Sequence, residues 1–283
     1  MVPALLRTPL LLLAAGVLAW AGTPRAPRLH AAKGVVLDQR TGEVLLAKQA
    51  DEAVPVASLT KLVSAMVLLD AQVGLEESLT ILEEDKDTLR HSKSRLPVGT
   101  RLTRREALTL ALMASENRAA HALGRTFPGG LGAFVAAMNA KARALGLATA
   151  RFQDPAGLSS GNVASAKEMA RIVDAAAHYP LVKACSTRER LEVQGRRGPI
   201  PFHNTNALLA SRHWHIGLSK TGFIEESGPC LALQAQVAQR PLLIILLDAG
   251  GAHARFDDAE RIRTWVEGPA PVAARRGRAR RKA

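Results

Sequence analysis

The sequence predicts an α+β fold: a five-stranded antiparallel sheet flanked by helices. Three observations lead there. Strand-like runs lie near both ends of the chain, while the middle follows the periodicity of helices. The hydrophobic share, 47% of 283 residues, is ample for a proper core. No internal repeat and no second domain boundary interrupts the pattern, so strands from the two ends should meet in one sheet with the termini close together.

Taken in order, residues 33–38 and 42–47 are short β-prone runs joined by Gln39-Arg40-Thr41, which makes a hairpin. From Ser58 the pattern becomes a nearly all-apolar helix carrying Leu62, Val63, Met66, Val67 and Leu69, too hydrophobic for the surface and so predicted to run through the centre. Thr103 and Glu106 form a capping box for a helix over 107–114. Two more helices are predicted over 130–145 and 165–177, the second capped by Ser165 and Glu168. Strand patterns then return over 216–222, at the alternating Leu231, Leu233, Ala235 and Val237, and over 242–248. A closing helix over 257–267 places Ile262, Trp265 and Val266 on an inward stripe.

The ends carry a different message. Residues 1–21 contain Arg7, an apolar run over 10–19 and the small-x-small site Ala19-Trp20-Ala21, the pattern of a cleavable signal peptide. The apolar run is well short of the roughly 20 residues a spanning helix needs. Export to an oxidising compartment is therefore expected. Residues 269–283 contain Arg275, Arg276, Arg278, Arg280, Arg281 and Lys282, a large part of the net charge of +13, and read as a basic disordered tail. In an exported protein its polyanionic partners would be wall polymer or an anionic membrane surface rather than a specific nucleic acid; a solvated tail without a partner is an equal alternative. Cys185 and Cys230 suffice for one bridge only if the fold brings them together. His213 and His215 flank Trp214 without a further ligand at metal spacing, and no metal or cofactor is expected.

The chemistry lies in three short motifs. Ser58 and Lys61 are three apart at the start of the buried helix, so their heads share one side of the first turn. A serine hydroxyl needs a base, and a lysine serves only when burial or a second cation drives off its proton. Lys61 is on the buried helix, and Lys220 is the candidate second cation. Ser115-Glu116-Asn117 falls where a polar break between apolar helices would be costly unless it faced a cleft. There Ser115 would relay protons between Lys61 and the leaving group, and Asn117 would hold the substrate amide. The other Ser-x-Asn, Ser160-Gly161-Asn162, reads as a plain turn. Lys220-Thr221-Gly222 ends an edge-like strand: Lys220 and Thr221 offer a cation and a hydroxyl to a carboxylate, and Gly222 has no side chain to obstruct a substrate. The backbone N–H groups of Ser58 and Phe223 are the expected oxyanion hole.

Ser-x-x-Lys, Ser-x-Asn and Lys-Thr-Gly in this order resemble the serine DD-peptidases and penicillin-binding proteins. The resemblance runs from residue 32 to residue 268 and includes Leu112 to Ala120, Asp154-Pro155-Ala156-Gly157-Leu158 and Arg263 to Gly268. It is nearest to the D-alanyl-D-alanine endopeptidase branch of the low-molecular-mass penicillin-binding proteins, the penicillin-binding protein seven-like group. That resemblance implies a fold shared with β-lactamases and hydrolysis of the D-alanyl to diaminopimelyl cross-bridge of peptidoglycan through an acyl-enzyme on Ser58. It also implies covalent inhibition by β-lactams. Carboxypeptidase relatives usually add a β-rich domain and an amphipathic anchor, and here a helix and a basic arm follow the last strand, which favours the endopeptidase branch. Glu116 replaces the Asp common in β-lactamases, and no Glu-x-x-Leu-Asn run is present, so slow, lasting acylation by penicillins is expected rather than turnover. The alternatives are a D-alanyl-D-alanine carboxypeptidase on the same site, a class A-like β-lactamase, and an inactive wall-binding module; the last has no need of all six motif side chains.

Overall fold

The computed structural model describes residues 25–196 and 198–268. The expected signal peptide over 1–21 and the basic tail over 269–283 lie outside the described residues. Along the chain come β1 (Lys33–Asp38), β2 (Val44–Lys48), the short β3 (Val54–Pro55) and, after a 3-10 turn at Ala57–Thr60, α1 (Lys61–Asp70). The middle holds β4 (Ser78–Thr80), β5 (Arg101–Thr103), α2 (Arg104–Met113), α3 (Asn117–Arg125), α4 (Gly130–Ala144), β6 (Val163–Ala164), α5 (Ala166–Ala177) and α6 (Pro180–Thr187). The hairpin β7 (Arg190–Gly195) and β8 (Gly198–His203) precedes β9 (His215–Ile224), β10 (Gly228–Val237), β11 (Arg240–Leu247) and α7 (Ala254–Glu267).

The main sheet is five-stranded and antiparallel, as the sequence predicts, and its strand order is β2-β1-β11-β10-β9. Lys33 pairs with Leu247, so the first and last strands are neighbours. In β11, Leu243, Ile245 and Leu247 point into the core shared with the central helices, while Leu242, Ile244 and Leu246 point to α7. A strand covered on both faces has to be apolar at consecutive positions, which is why this run does not alternate. Ile262 of α7 is fully buried, with Trp265 and Val266 packed beside it. This arrangement leaves one edge of β9, which carries the Lys-Thr-Gly motif, unpaired within the sheet.

α1 buries every residue from Lys61 to Leu68, the central helix its composition called for. Both capping boxes form: Thr103 Oγ1 accepts from Glu106 N at 3.1 Å and Glu106 Oε2 from Thr103 N at 2.7 Å, with the same exchange between Ser165 and Glu168. Each cap is worth about 1 kcal/mol. α3, α6 and the β7/β8 hairpin have no counterpart among the predicted elements. α3 is short and begins at Asn117 itself, so the polar break between helices is only three residues long. Cys185 and Cys230 are free and buried, the first against Thr109 and the second against the Ser227 carbonyl, so no bridge joins them.

Candidate active site

Ser58 lies in the 3-10 turn ahead of α1, partly exposed to a cleft of about 440 Å³. Ala57, immediately before it, has φ +48°, a conformation that side-chain-bearing residues adopt only when the surroundings enforce it. What enforces it is a loop from far along the chain. Gly157, at φ +80°, is so close that a Cβ there would lie 1.9 Å from the Ala57 carbonyl oxygen and 2.9 Å from Ser58 N. From the other side comes Gly222, where a Cβ would meet Val56 O at 3.1 Å and Ser58 N at 3.2 Å. The absent side chain of Gly222 thus lets β9 abut the serine turn, a role beyond leaving space for a substrate.

Lys61 Nζ has three partners: Ser58 Oγ at 2.7 Å, Asn117 Oδ1 at 2.8 Å and the Ala156 carbonyl at 2.6 Å. As an ammonium it donates to all three. As an amine it keeps two N–H groups for the Asn117 and Ala156 oxygens and turns its lone pair to the Ser58 hydroxyl. Burial lowers its pKa from 10.5 to about 7, even though Asp154, Glu116 and Asp87 act in the opposite direction. The amine is therefore well populated at neutral pH.

The loop that presents the Ala156 carbonyl is organised by two side chains. Asp154 Oδ1 accepts from the N–H groups of Ala156 and Gly157, both at 2.7 Å, and Oδ2 accepts from Ser159 N at 2.8 Å. Beneath it Asn162, fully buried, accepts from Gln153 N at 2.8 Å and donates to Asp154 O at 2.8 Å and Thr60 Oγ1 at 3.1 Å. The Ser160-Gly161-Asn162 run is a turn, but its asparagine fastens the loop to the residue just before Lys61. The polarity of that turn concealed its burial in the sequence.

Ser115, at φ +57°, accepts a 2.8 Å hydrogen bond from Lys220 Nζ and is not within hydrogen-bonding distance of Lys61. The side-chain partner of Ser115 in the structure is therefore Lys220. Lys220 also donates to the Thr221 carbonyl at 2.8 Å and is 1% exposed. Burial holds its pKa well below the ordinary lysine value, with further lowering by the charges of Lys61 and Arg255. The two ammonium charges oppose one another, so each lysine favours loss of the other's proton, with burial the larger cause at both. Asn117 spends its amide on Lys61 and on Ser92 Oγ, 3.0 Å away, so the side chain expected to hold a substrate braces the lysine. Glu116 is buried, caps α3 by accepting from Arg118 N at 3.0 Å and holds Ser94 Oγ at 2.8 Å; burial raises its pKa.

Thr221 Oγ1 is hydrogen-bonded to Thr205 Oγ1 at 2.6 Å. Arg255, one residue into α7, donates from Nη1 to the Gly222 carbonyl at 3.1 Å, while its buried Nε has no partner. A half-buried guanidinium with donor capacity to spare, beside the Lys-Thr-Gly strand, is suited to a carboxylate. Neither Thr205 nor Arg255 belongs to a motif, and only the fold reveals them.

The D-alanyl-D-alanine carboxypeptidase family matches residues 21–251. The chain belongs to this family. It is 43% identical to a D-alanyl-D-alanine endopeptidase of Pseudomonas aeruginosa over 87% of this chain and 80% of that one, and 38% identical to the endopeptidase of Escherichia coli over 90% and 84%. Among solved structures it is similar to the Streptomyces K15 DD-transpeptidase, with TM-score 0.78 and 25% identity over 85% of this chain and 98% of that one. It is also similar to penicillin-binding protein D2 of Listeria monocytogenes in its cefotaxime-bound form, with TM-score 0.74 and 26% identity over 84% and 98%. Membership of the carboxypeptidase family agrees with the serine DD-peptidase resemblance of the three motifs and with the α+β fold they imply.

Proposed function

We propose that the protein is a serine DD-endopeptidase that hydrolyses the D-alanyl to diaminopimelyl cross-bridge of peptidoglycan through an acyl-enzyme on Ser58. The observation that carries this reading is the 2.7 Å contact between Ser58 Oγ and a Lys61 nitrogen whose pKa burial has brought to about 7. Lys61, as amine, takes the Ser58 proton while Oγ attacks the D-alanyl carbonyl. The oxyanion forms between the N–H groups of Ser58 and Phe223. Ser115, backed by Lys220, passes a proton to the leaving amine, and the carboxylate beside that amine is received by Thr221 and a Lys220 N–H, with Arg255 supplying positive charge. Water then hydrolyses the ester. Gly222 admits the substrate strand close to Ser58, and Asn117 holds Lys61 in line. No metal or cofactor enters this scheme.

The endopeptidase relatives, matched over most of their length, favour cleavage of cross-bridges. A carboxypeptidase using the same site is the second reading, favoured by the family's own description and by a carboxylate-binding end that would suit terminal D-alanine equally. Residues 32–268 are proposed as the catalytic domain, 1–21 as a signal peptide directing it to the periplasm, and 269–283 as a basic arm for anionic wall polymer or membrane. β-Lactams are the proposed covalent inhibitors.

The test is to incubate the mature protein with cross-linked murein dimers and, separately, with a pentapeptide ending in D-Ala-D-Ala, following products by mass spectrometry. Dimers converted to monomers, with terminal D-alanine retained, support the endopeptidase. Release of D-alanine alone supports the carboxypeptidase, and silence on both substrates overturns both. Ser58→Ala should abolish hydrolysis.

A further inference from the structure

Three consecutive residues at the second motif, Glu116, Asn117 and Arg118, each grip the same distant segment. Glu116 Oε1 accepts from Ser94 Oγ at 2.8 Å, Asn117 Nδ2 donates to Ser92 Oγ at 3.0 Å, and Arg118 Nη1 donates to the Leu96 carbonyl at 2.6 Å. The partners are every second residue of 92–96. One end of this segment is anchored by Leu96, which is fully buried and donates from its N–H to Ser94 Oγ at 3.0 Å. The other end is held by Asp87, whose Oδ2 accepts from Ser92 N at 3.0 Å. Ser92 lines the cleft together with Ser58 and Asn117. Glu116 is 7% exposed, and the same Oε1 accepts from Arg118 N at 3.0 Å.

Asn117 divides its amide between two partners: Oδ1 accepts from Lys61 Nζ at 2.8 Å, and Nδ2 is committed to Ser92. The amide can aim Lys61 only while Ser92 stays in place, and Ser92 is itself exposed. We propose that Glu116 is a positioning residue for acylation: by gripping Ser94 it fixes the 92–96 segment, so that Ser92 holds the Asn117 amide and the amide holds Lys61 in line with Ser58. Linked hydrogen bonds of this kind lose more than one bond's worth of order when a middle member is removed. The carboxylate also has an effect that a neutral acceptor would lack. Burial drives the proton off Lys61, and the charge of Lys220 on β9 acts the same way, while Asp154, Glu116 and Asp87 favour the ammonium. Of these three carboxylates only Glu116 is buried. Burial opposes its ionisation, whereas Ser94, the Arg118 N–H and the charges of Lys61 and Arg118 favour it. The inference rests on the proposed acyl-enzyme chemistry of Ser58 and Lys61, and it deepens that reading by naming what holds the base in place.

The test follows acylation of Ser58 by a fluorescent penicillin, and cleavage of murein dimers, from pH 6 to 9 in the full-length mature protein and three variants. Glu116→Ala removes both the grip and the charge and should lower the plateau rate by about tenfold or more. Glu116→Gln still offers an oxygen to Ser94 and to Arg118 N, and should recover most of that loss. Ser94→Ala keeps the charge and should lower the plateau about threefold without moving the midpoint of the profile. Both Glu116 variants should move the midpoint to lower pH, so that at pH 6 Glu116→Gln runs at about twice the native fraction of its own plateau. A general structural lesion would lower the plateaus and leave every midpoint where it was. A native plateau in Glu116→Ala or in Ser94→Ala overturns the positioning role, and a native midpoint in Glu116→Gln overturns the part played by the charge. If Glu116→Ala does not fold, the Ser94→Ala plateau and the Glu116→Gln midpoint still decide. Uncut dimers with the expected acylation pattern would refute the endopeptidase and keep the role of Glu116, while cut dimers with unchanged variants would do the reverse.

Discussion

Gly157 stands against Ala57 with no room for even a methyl group, since a Cβ at 157 would fall 1.9 Å from the Ala57 carbonyl oxygen. The contact joins the loop that supplies Lys61 with a carbonyl acceptor to the turn that carries the nucleophile. Geometry at Ser58 therefore depends on a residue 99 positions away in sequence.

Gly157→Ala should uncouple the two segments. The clash and the positive φ together are expected to cost at least about 2 kcal/mol. Acylation of Ser58 by a fluorescent penicillin should slow by about a hundredfold or more, read in the fraction that remains folded by circular dichroism. Acylation at the native rate would show that the loop can withdraw without disturbing the serine.

Acylation should depend on pH through Lys61. Its pKa of about 7 means that the rate constant rises as pH passes through 7 and levels off above it, as the amine becomes the dominant form. The same shift predicts a stability trend. Between pH 7 and 10.5 the unfolded chain holds a proton on this lysine that the folded chain has released, so this group's contribution to stability increases as pH rises across that window. Stopped-flow acylation of the native protein and urea titrations of it and Lys61→Met check the two halves; a flat rate profile from pH 6 to 9 would exclude Lys61 as the base.

Asn162→Ala should be far more damaging than a substitution in a surface turn. It leaves Gln153 N, Asp154 O and Thr60 Oγ1 without their partner in a fully buried position. A loss of about 3 kcal/mol is expected from urea denaturation. Acylation should slow as well, because the Ala156 carbonyl loses its support.

Ser115→Ala removes the side-chain partner of Lys220, leaving the Thr221 carbonyl. With a proton route to the leaving group gone, hydrolysis of peptides is expected to fall by about a hundredfold or more in kcat. Thermal stability, followed by calorimetry, should change little.

Arg255→Ala should raise KM for peptides ending in a carboxylate by about tenfold, and change KM for the corresponding amides little. Steady-state kinetics with the two peptide forms separate this from a general loss of the cleft. An equal effect on both would place the guanidinium's role in holding the Gly222 carbonyl, 3.1 Å away, instead of in binding substrate.

Much was legible in the sequence because it is locally encoded. The apolar run after Ser58 required a buried helix, Thr103 with Glu106 and Ser165 with Glu168 marked helix starts, and the apolar run over 242–248 marked a strand, which the fold covers on both faces. Ser58, Lys61, Ser115, Asn117, Lys220, Thr221 and Gly222 were singled out from motif type and order, and the fold links them through the Ser58–Lys61–Asn117 and Ser115–Lys220–Thr221 hydrogen bonds and the approach of Gly222 to Ser58. The tertiary structure decided what each of them touches. Ser115 meets Lys220 and not Lys61, Asn117 braces the lysine, and the set is completed by the Ala156 carbonyl, Asn162, Thr205 and Arg255. Backbone carbonyls carry no residue signature, and the burial that strips the proton from Lys61 arises from segments up to about a hundred residues apart packing together. The choice of residues belongs to the sequence; their protonation and partners come from packing, because desolvation and hydrogen bonding depend on which surfaces meet.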